Sequence, residues 1–184
     1  MRLIMFDMDG TLIDSGFAIT NTINYVRVNL GFEELEKSYI LEKVNDPNIN
    51  SSEFFYGTKE FTAEQTRLIE EYYNKHCLSD LVVYDGISKL IDDLKNDFTL
   101  AVATNANSQY AHKMLNHVGL GHHFKTILGY DSVSKPKPHP EMVNKILDIH
   151  KISNVNAQLI GDSHKDIMAA TKAGVDSVLV NWGF

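Results

Sequence analysis

The feature that most constrains the fold is a series of five short apolar runs, most of them separated by segments with helical spacing. The runs predict buried strands at Leu3–Phe6, Phe98–Ala103, Thr126–Leu128, Gln158–Ile160 and Ser177–Val180. Helices are predicted between the later runs at 87–94, Ser108–Val118, His139–His150 and Asp166–Ala173. Strands that alternate with helices of this length predict a parallel sheet with crossover connections, so the fold class is α/β.

Residues 15–83 interrupt this alternation. They contain no convincing strand, but at least two helical patterns are present, roughly at Gly16–Leu30 and Thr62–His76. The second opens with the capping box Thr62-x-x-Gln65. The stretch NDPNINSSEFFYG between them is typical of a loop. We therefore predict a core domain of residues 1–14 and 84–184, with a small α-helical domain at 15–83 inserted after the first strand.

Charge and cysteine content narrow the class of protein. The 184 residues carry a net charge of −7, so no basic surface favours nucleic acid as a partner. Cys77 is the single cysteine, which excludes an internal disulfide framework and favours a reducing compartment. No apolar run reaches the roughly 18 residues of a membrane span, and Asp7 follows the first apolar run too early for a signal peptide. We expect a cytoplasmic protein, either monomeric or homodimeric.

Chemically reactive side chains follow four of the five predicted strands. Ligands of a parallel α/β sheet bind beyond the carboxyl ends of its strands, so these residues are expected to share one edge. They are Asp7 and Asp9 after the first strand, Thr104 and Asn105 after the second, Lys135 in SKPKPHP after the third, and Asp162 and Asp166 in GDSHKD after the fourth. Four carboxylates, a hydroxyl and a lysine at one edge predict a reactive site.

This combination of groups favours phosphoryl chemistry. Carboxylates this close repel one another unless a cation lies between them, and oxygen ligands suit Mg²⁺, which usually keeps water and substrate phosphate as further ligands. A lysine and a hydroxyl beside that cation can stabilise a transferring phosphoryl group. The pair Asp7 and Asp9 can divide the work, one ionised as nucleophile or metal ligand and the other holding a proton for the leaving oxygen.

Four segments together resemble the haloacid dehalogenase-like hydrolase superfamily. The segments are FDMDGTLID, ATN, KPKPHP and GDSHKD, in the family's order and in register with the predicted strands. WGF near the end is similar to the phosphoglycolate-phosphatase-like branch. The resemblance implies a Rossmann-like core, an α-helical cap that closes over the site, and a Mg²⁺-dependent phosphatase that hydrolyses a small phosphate monoester through an aspartyl-phosphate intermediate.

The same resemblance implies roles for the residues that touch the substrate. Asp7 would be the nucleophile and Asp9 the general acid and base. Thr104 would donate a hydrogen bond to the phosphoryl group, and Lys135 would hold both nucleophile and phosphate. Asn105, beside Thr104, is predicted to help bind the substrate.

The metal ligands implied by the resemblance are the Asp7 carboxylate, the backbone carbonyl of Asp9, and Asp162, with Mg²⁺ as the cofactor. Asp166 would orient Lys135 or a metal-bound water. Two alternatives stay open: Lys137 competes with Lys135 as the site lysine, and Asp166 could serve only as a helix-capping carboxylate.

Other activities of the superfamily fit less well. Dehalogenases of the family lack the second aspartate, which is present here as Asp9. The β-phosphoglucomutase branch has a histidine five residues after the aspartate that ends the first motif, where this chain has Ile19. The phosphonatase branch needs a lysine early in the cap, and none lies in 16–35. A phosphomutase or phosphotransferase is the alternative function, and a catalytically silent binding module is less favoured because every motif residue is present.

Overall fold

The computed structural model describes residues 2–184. The strands are β1 Leu3–Phe6, β2 Ile13–Asp14, β3 Val82–Val83, β4 Thr99–Ala103, β5 Thr126–Leu128, β6 Ala157–Gly161 and β7 Asp176–Leu179. The α-helices are α1 Gly16–Asn29, α2 Lys37–Asn45, α3 Ser51–Tyr56, α4 Ala63–His76, α5 Ile87–Leu94, α6 Ser108–His117, α7 Glu141–His150 and α8 His164–Ala173. Within residues 2–184, no helix has both the length and the apolar character that crossing a membrane requires.

Five strands form one parallel sheet in the order β5-β4-β1-β6-β7. All five predicted strands are confirmed in position to within one residue at each end, and so is the α/β class. The prediction that the last strand is buried is wrong, because β7 lies at one edge of the sheet and is mostly exposed. The first strand lies at the centre, where Phe6 is in register with Val102 of β4 and Ile160 of β6. The carboxyl ends of these three strands are therefore neighbours, and the residues that follow them lie close together.

The core of this sheet unit lies between the strands and the helices α7 and α8. Leu3 and Met5 of β1 point to the same face, since side chains alternate along a strand, and both are buried. They belong to one apolar cluster with Ile146 of α7 and Ala169 of α8. Each large aliphatic side chain buried in this way contributes about 1.5 to 3 kcal/mol of hydrophobic stabilisation. This packing against α7 and α8 stabilises the sheet that positions the site.

The chain divides into two compact units that differ slightly from the predicted domains. One unit comprises residues 1–14 and 82–183, and the other comprises residues 15–81 with residue 184. Residues 82 and 83 belong to the sheet unit because they form β3, which pairs antiparallel with Ile13–Asp14. The prediction of no strand in 15–83 missed this two-residue pair, since two apolar residues are too few for a periodic signal.

The second unit is helical, and its four helices agree with the prediction of at least two. The predicted helices correspond to α1 and α4, and the capping box of Thr62 and Gln65 is present. The loop predicted in the middle is wrong for Ser51–Tyr56, where the Asn50 side chain accepts hydrogen bonds from Ser52 N and Glu53 N and starts α3. Helix α2 was also missed. Both are short helices whose apolar residues, including Ile40 and Phe55, are buried in the core of this unit.

Candidate active site

Asp7 is the first residue beyond the central strand, and the fold buries it. Its backbone N–H donates to Ile160 O at 2.8 Å, which extends the pairing with β6 by one residue. The chain then turns sharply, with the backbone N–H groups of residues 11 to 13 all directed at Met8 O. Gly10 has a φ of +78°, which favours glycine. The turn leaves Asp7 buried and Asp9 half-buried.

Lys137, not Lys135, is the lysine that contacts the carboxylates. Its Nζ lies 2.8 Å from Asp7 Oδ1 and 2.5 Å from Asp166 Oδ1, and the side chain is buried. Lys135 is exposed, and its backbone N–H donates to Glu141 Oε2 at 3.1 Å. The prediction of Lys135 is therefore corrected. The physical reason is that Glu141, at the start of α7, binds the backbone at residue 135 outside the site, and the chain turns inward only two residues later.

Asn105 holds the backbone of Lys137 in place. Its Nδ2 donates to Lys137 O at 2.8 Å, and its Oδ1 accepts from Lys137 N at 3.0 Å. Other side chains fix the same loop: Asp131 accepts from Ser108 N, Lys145 Nζ donates to Ser132 O, and Lys172 Nζ donates to Pro138 O. The side-chain amide that was predicted to bind substrate is thus engaged with the lysine's own backbone, and the ammonium group is positioned from strand β4.

Asp166 serves two partners at once. Its Oδ1 accepts from Lys137 Nζ, and its Oδ2 accepts from Ser163 Oγ at 2.6 Å and from Ser163 N at 3.1 Å. Ser163 directly precedes α8, so the carboxylate also satisfies a backbone donor at the start of that helix. The two alternatives for Asp166, helix capping and orienting the lysine, are therefore both present in the structure. Its lysine partner is Lys137 rather than Lys135.

Asp162 and Thr104 complete the set from the neighbouring strands. Asp162 follows β6, and its Oδ1 accepts from Thr11 Oγ1 at 3.4 Å. Thr104 follows β4 and is buried, and its Oγ1 accepts from Ala106 N at 3.1 Å. A hydroxyl that accepts in this way still carries a hydrogen to donate. Thr104 and Asp162 therefore follow the two strands on either side of β1, as the sheet topology predicts.

The electrostatics of the site are dominated by three carboxylates and one cation. Among residues 2–184, the metal-ligating groups that come together are Asp7, Asp162 and Asp166, whose oxygens lie within 4.8 Å of one another. Burial raises the pKa of Asp7 well above its usual range, and Asp166 and Asp162 raise it further, while Lys137 partly opposes them. The two neighbouring carboxylates raise the pKa of Lys137 against the effect of its burial, so the lysine stays charged.

The donor set fits a small divalent cation. Asp7 Oδ1 is buried, and Lys137 Nζ lies 2.8 Å from it. One ammonium group does not balance three carboxylates, and Asp166 is already engaged by Lys137 and Ser163. Asp7 and Asp162 are thus the carboxylates best placed to hold a hard cation such as Mg²⁺ through oxygen ligands.

Tyr84 is a neighbour of the site that the sequence analysis missed. Burial raises the pKa of its phenol, and the negative charges of Asp14, Asp162 and Asp9 raise it further. The hydroxyl therefore stays protonated at any physiological pH. It follows β3, the two-residue strand that was also missed, in a segment that the sequence places in the core domain without indicating a role for Tyr84.

Comparison with known proteins places the chain in a family. The family model of haloacid dehalogenase-like hydrolases matches residues 4–180, which is nearly the whole chain, and the chain belongs to this family. The resemblance inferred from the four sequence motifs is confirmed. The chain is therefore a hydrolase of this fold, with the carboxylate cluster at the edge where the family motifs lie.

Its relatives narrow the class to the phosphatases of the family. A phosphoglycolate phosphatase of Aquifex aeolicus is 32% identical over 195 residues, covering 100% of this chain and 86% of its own length. One from Vibrio vulnificus is 28% identical over 200 residues, covering 100% and 85%. A 5'-nucleotidase of Pseudomonas aeruginosa is 28% identical, covering 98% and 83%. The chain is a phosphatase-type enzyme of the haloacid dehalogenase-like family.

Solved structures support the same class. A haloacid dehalogenase-like hydrolase from Streptococcus pneumoniae aligns with a TM-score of 0.86 at 26% identity, covering 100% of this chain and 86% of that one. A structure described as a predicted phosphatase from Clostridium acetobutylicum aligns with a TM-score of 0.88 at 26% identity, covering 99% and 85%. The parallel sheet with its helical insertion is therefore the fold of this family.

Proposed function

We propose that this chain is a Mg²⁺-dependent phosphatase that hydrolyses small phosphate monoesters through an aspartyl-phosphate on Asp7. The observation that carries the proposal is the environment of Asp7. This buried carboxylate lies directly beyond the central strand, 2.8 Å from Lys137 Nζ, and its oxygens lie within 4.8 Å of those of Asp162 and Asp166. A carboxylate in such a position is suited to bind a cation through one oxygen and to attack phosphorus with the other.

The residues that would hold Mg²⁺ are Asp7, Asp162 and the backbone carbonyl of Asp9. When bound, the cation would neutralise charge on the phosphoryl oxygens and on the Asp7 carboxylate. A nearby positive charge favours the ionised form, so a bound cation would lower the pKa of Asp7, which burial raises. Asp7 would then be ionised at neutral pH, as a nucleophile must be.

The proposed reaction has two steps. In the first, an Asp7 oxygen forms a bond to phosphorus as the bond between phosphorus and the ester oxygen breaks, and Asp9 gives its proton to the departing alkoxide. In the second, Asp9 takes a proton from water, and the water oxygen bonds to phosphorus as the bond between phosphorus and the Asp7 oxygen breaks, which releases inorganic phosphate. The Asp7 carboxylate and the protonated Asp9 are then restored. Asp9 is half-buried, which suits a group that exchanges protons with substrate and water.

Thr104 and Lys137 are the proposed phosphate-binding groups. Thr104 Oγ1 is held by Ala106 N and has its hydrogen to donate, and Lys137 adds a fixed positive charge beside Asp7. In this proposal Lys137 takes the role expected of Lys135. Asn105 supports the substrate only indirectly, through the backbone of Lys137.

The proposed substrate class is a small phosphorylated metabolite. Relatives are named phosphoglycolate phosphatase and 5'-nucleotidase, and both activities remove phosphate from a small monoester. The net charge of −7 disfavours a large polyanion, because Mg²⁺ and Lys137 must provide the attraction. The cytoplasmic location and the monomeric or homodimeric state stay predictions from the sequence.

Phosphate release from a panel of esters tests the proposal. The panel contains phosphoglycolate, a 5'-nucleotide and a hexose phosphate, each assayed with MgCl₂ and with EDTA. Wild type is compared with Asp7→Asn, and with Asp97→Asn as a matched control at an exposed position. We expect release that requires Mg²⁺, is lost in Asp7→Asn and is unchanged in Asp97→Asn. Release that persists in Asp7→Asn contradicts the mechanism, and conversion of a hexose phosphate into its isomer without release favours the mutase.

A further inference from the structure

The segment after β7 returns to the proposed metal site. Val180 N donates to Gly161 O at 2.9 Å, which keeps the chain beside β6 as far as the residue before Asp162. Gly183 then lies against Asp162 itself. A Cβ on Gly183 would lie 2.4 Å from Asp162 Cβ, 2.5 Å from Gly10 O and 2.6 Å from Asp162 Oδ2. Glycine is the residue that leaves room for Asp162 and the Gly10 carbonyl together.

Trp182 contacts the same turn from the adjacent position. Its indole Nε1 donates to Thr11 O at 3.2 Å. The hydroxyl of the same threonine donates to Asp162 Oδ1 at 3.4 Å. This segment therefore contacts Asp162 in two ways. Gly183 packs directly against it, and Trp182 holds the backbone of Thr11, whose hydroxyl binds the Asp162 carboxylate. The sequence analysis gave neither Trp182 nor Gly183 a role.

We propose that Trp182 and Gly183 position Asp162 and thereby set the affinity of the site for Mg²⁺. This inference rests on the proposed function only in that Asp162 holds the cation. The contacts that support this role are with Asp162, Gly10 and Thr11, so the effect expected is on metal binding. Partners of metal ligands commonly change metal affinity about 10- to 100-fold when they are altered.

A methyl group at position 183 would clash with the atoms packed around Gly183. Two of the three atoms it would meet are a backbone oxygen and a Cβ, which cannot move without moving the chain that carries them. Contacts of 2.4 to 2.6 Å are far inside van der Waals distance, so either Asp162 or the turn at Gly10 must shift. Either shift changes the position of a ligand relative to the Asp7 carboxylate.

Calorimetric titration with MgCl₂, without substrate, measures the effect directly. Wild type is compared with Gly183→Ala, with Trp182→Phe, and with Asn181→Ala as the matched control, since Asn181 is exposed in the same segment. We expect Gly183→Ala to weaken Mg²⁺ binding by about tenfold or more and Trp182→Phe by a few-fold. Asn181→Ala is expected to bind like the wild type. Trp182 is the single tryptophan, so its emission in the wild type provides a second readout of Mg²⁺ binding.

The outcomes separate the two proposals. If the wild type binds Mg²⁺ and Gly183→Ala binds it equally well, the positioning role is wrong and the metal site stands. If the wild type binds no Mg²⁺ while phosphate release continues in EDTA, the proposed metal site itself is wrong. Circular dichroism establishes that each variant is folded. If Gly183→Ala does not fold, unchanged Mg²⁺ affinity in Trp182→Phe overturns the inference.

Discussion

Replacing Lys137 by alanine removes the cation between two buried carboxylates. Its Nζ lies 2.8 Å from Asp7 Oδ1 and 2.5 Å from Asp166 Oδ1, and the residue is only 4% exposed. Loss of one partner of a buried ion pair costs about 3 to 5 kcal/mol, because the remaining charge is left uncompensated. Asp7 can relieve part of this cost by taking up a proton, since burial already raises its pKa. We therefore expect a loss of about 3 kcal/mol in the free energy of unfolding at neutral pH, the lower end of that range.

The assay pairs stability with activity and uses Lys135→Ala as the matched control. Lys135 is exposed two residues earlier, so its truncation should change the free energy of unfolding by no more than about 0.5 kcal/mol. Urea unfolding followed by circular dichroism gives the stability, and phosphate release gives the activity. We expect Lys137→Ala to lose both and Lys135→Ala to keep both. Equal losses in the two variants, or loss of turnover only in Lys135→Ala, refute the assignment of the site lysine.

Two further predictions concern Asp7 and Asn105. In EDTA, Asp7→Asn should be more stable than the wild type at neutral pH. The pKa of Asp7 is raised in the folded protein, so its carboxyl group favours folding at pH values below its unfolded pKa of about 4. This contribution is lost as the pH rises through the folded pKa. Urea unfolding at a series of pH values should show that the difference in free energy of unfolding between the variant and the wild type grows as the pH rises. A difference that stays constant with pH contradicts the reasoning. Asn105→Ala should lower kcat/KM about ten- to thirtyfold if its two lost hydrogen bonds, each worth about 1 kcal/mol, appear in the barrier. Any turnover that remains in Lys137→Ala should not fall further when Asn105→Ala is added, and additive losses would mean that Asn105 acts without the lysine.

The fold and most of the site followed from local patterns in the sequence. The strands β1, β4 and β6 are runs of largely buried residues, and the reactive residues Asp7, Thr104 and Asp162 come directly after them. Because the ends of neighbouring parallel strands meet at one edge, the order of the motifs was enough to predict that these residues converge.

The choice between the two lysines could not be made in the same way. Lys135 and Lys137 occupy one loop without a periodic pattern, and the difference lies in long-range hydrogen bonds. Asn105, 32 positions earlier, binds the backbone of Lys137, and Glu141 binds the backbone of Lys135. Helix α3 escaped prediction for a related reason, since six residues started by the Asn50 side chain are too short to show a helical period.

The double engagement of Asp166 has a consequence for how this enzyme can change. One carboxylate starts helix α8 through Ser163 and holds the site lysine through its other oxygen. Any substitution there alters the folding of α8 and the charge balance around Asp7 together. Metal affinity and turnover can therefore be changed more easily at neighbouring positions. At Asp166, the folding of α8 and the position of Lys137 depend on the same carboxylate. A partly unfolded α8 would leave the lysine without one of its two anchors, so a chain that has lost this helix is also one that has lost its site.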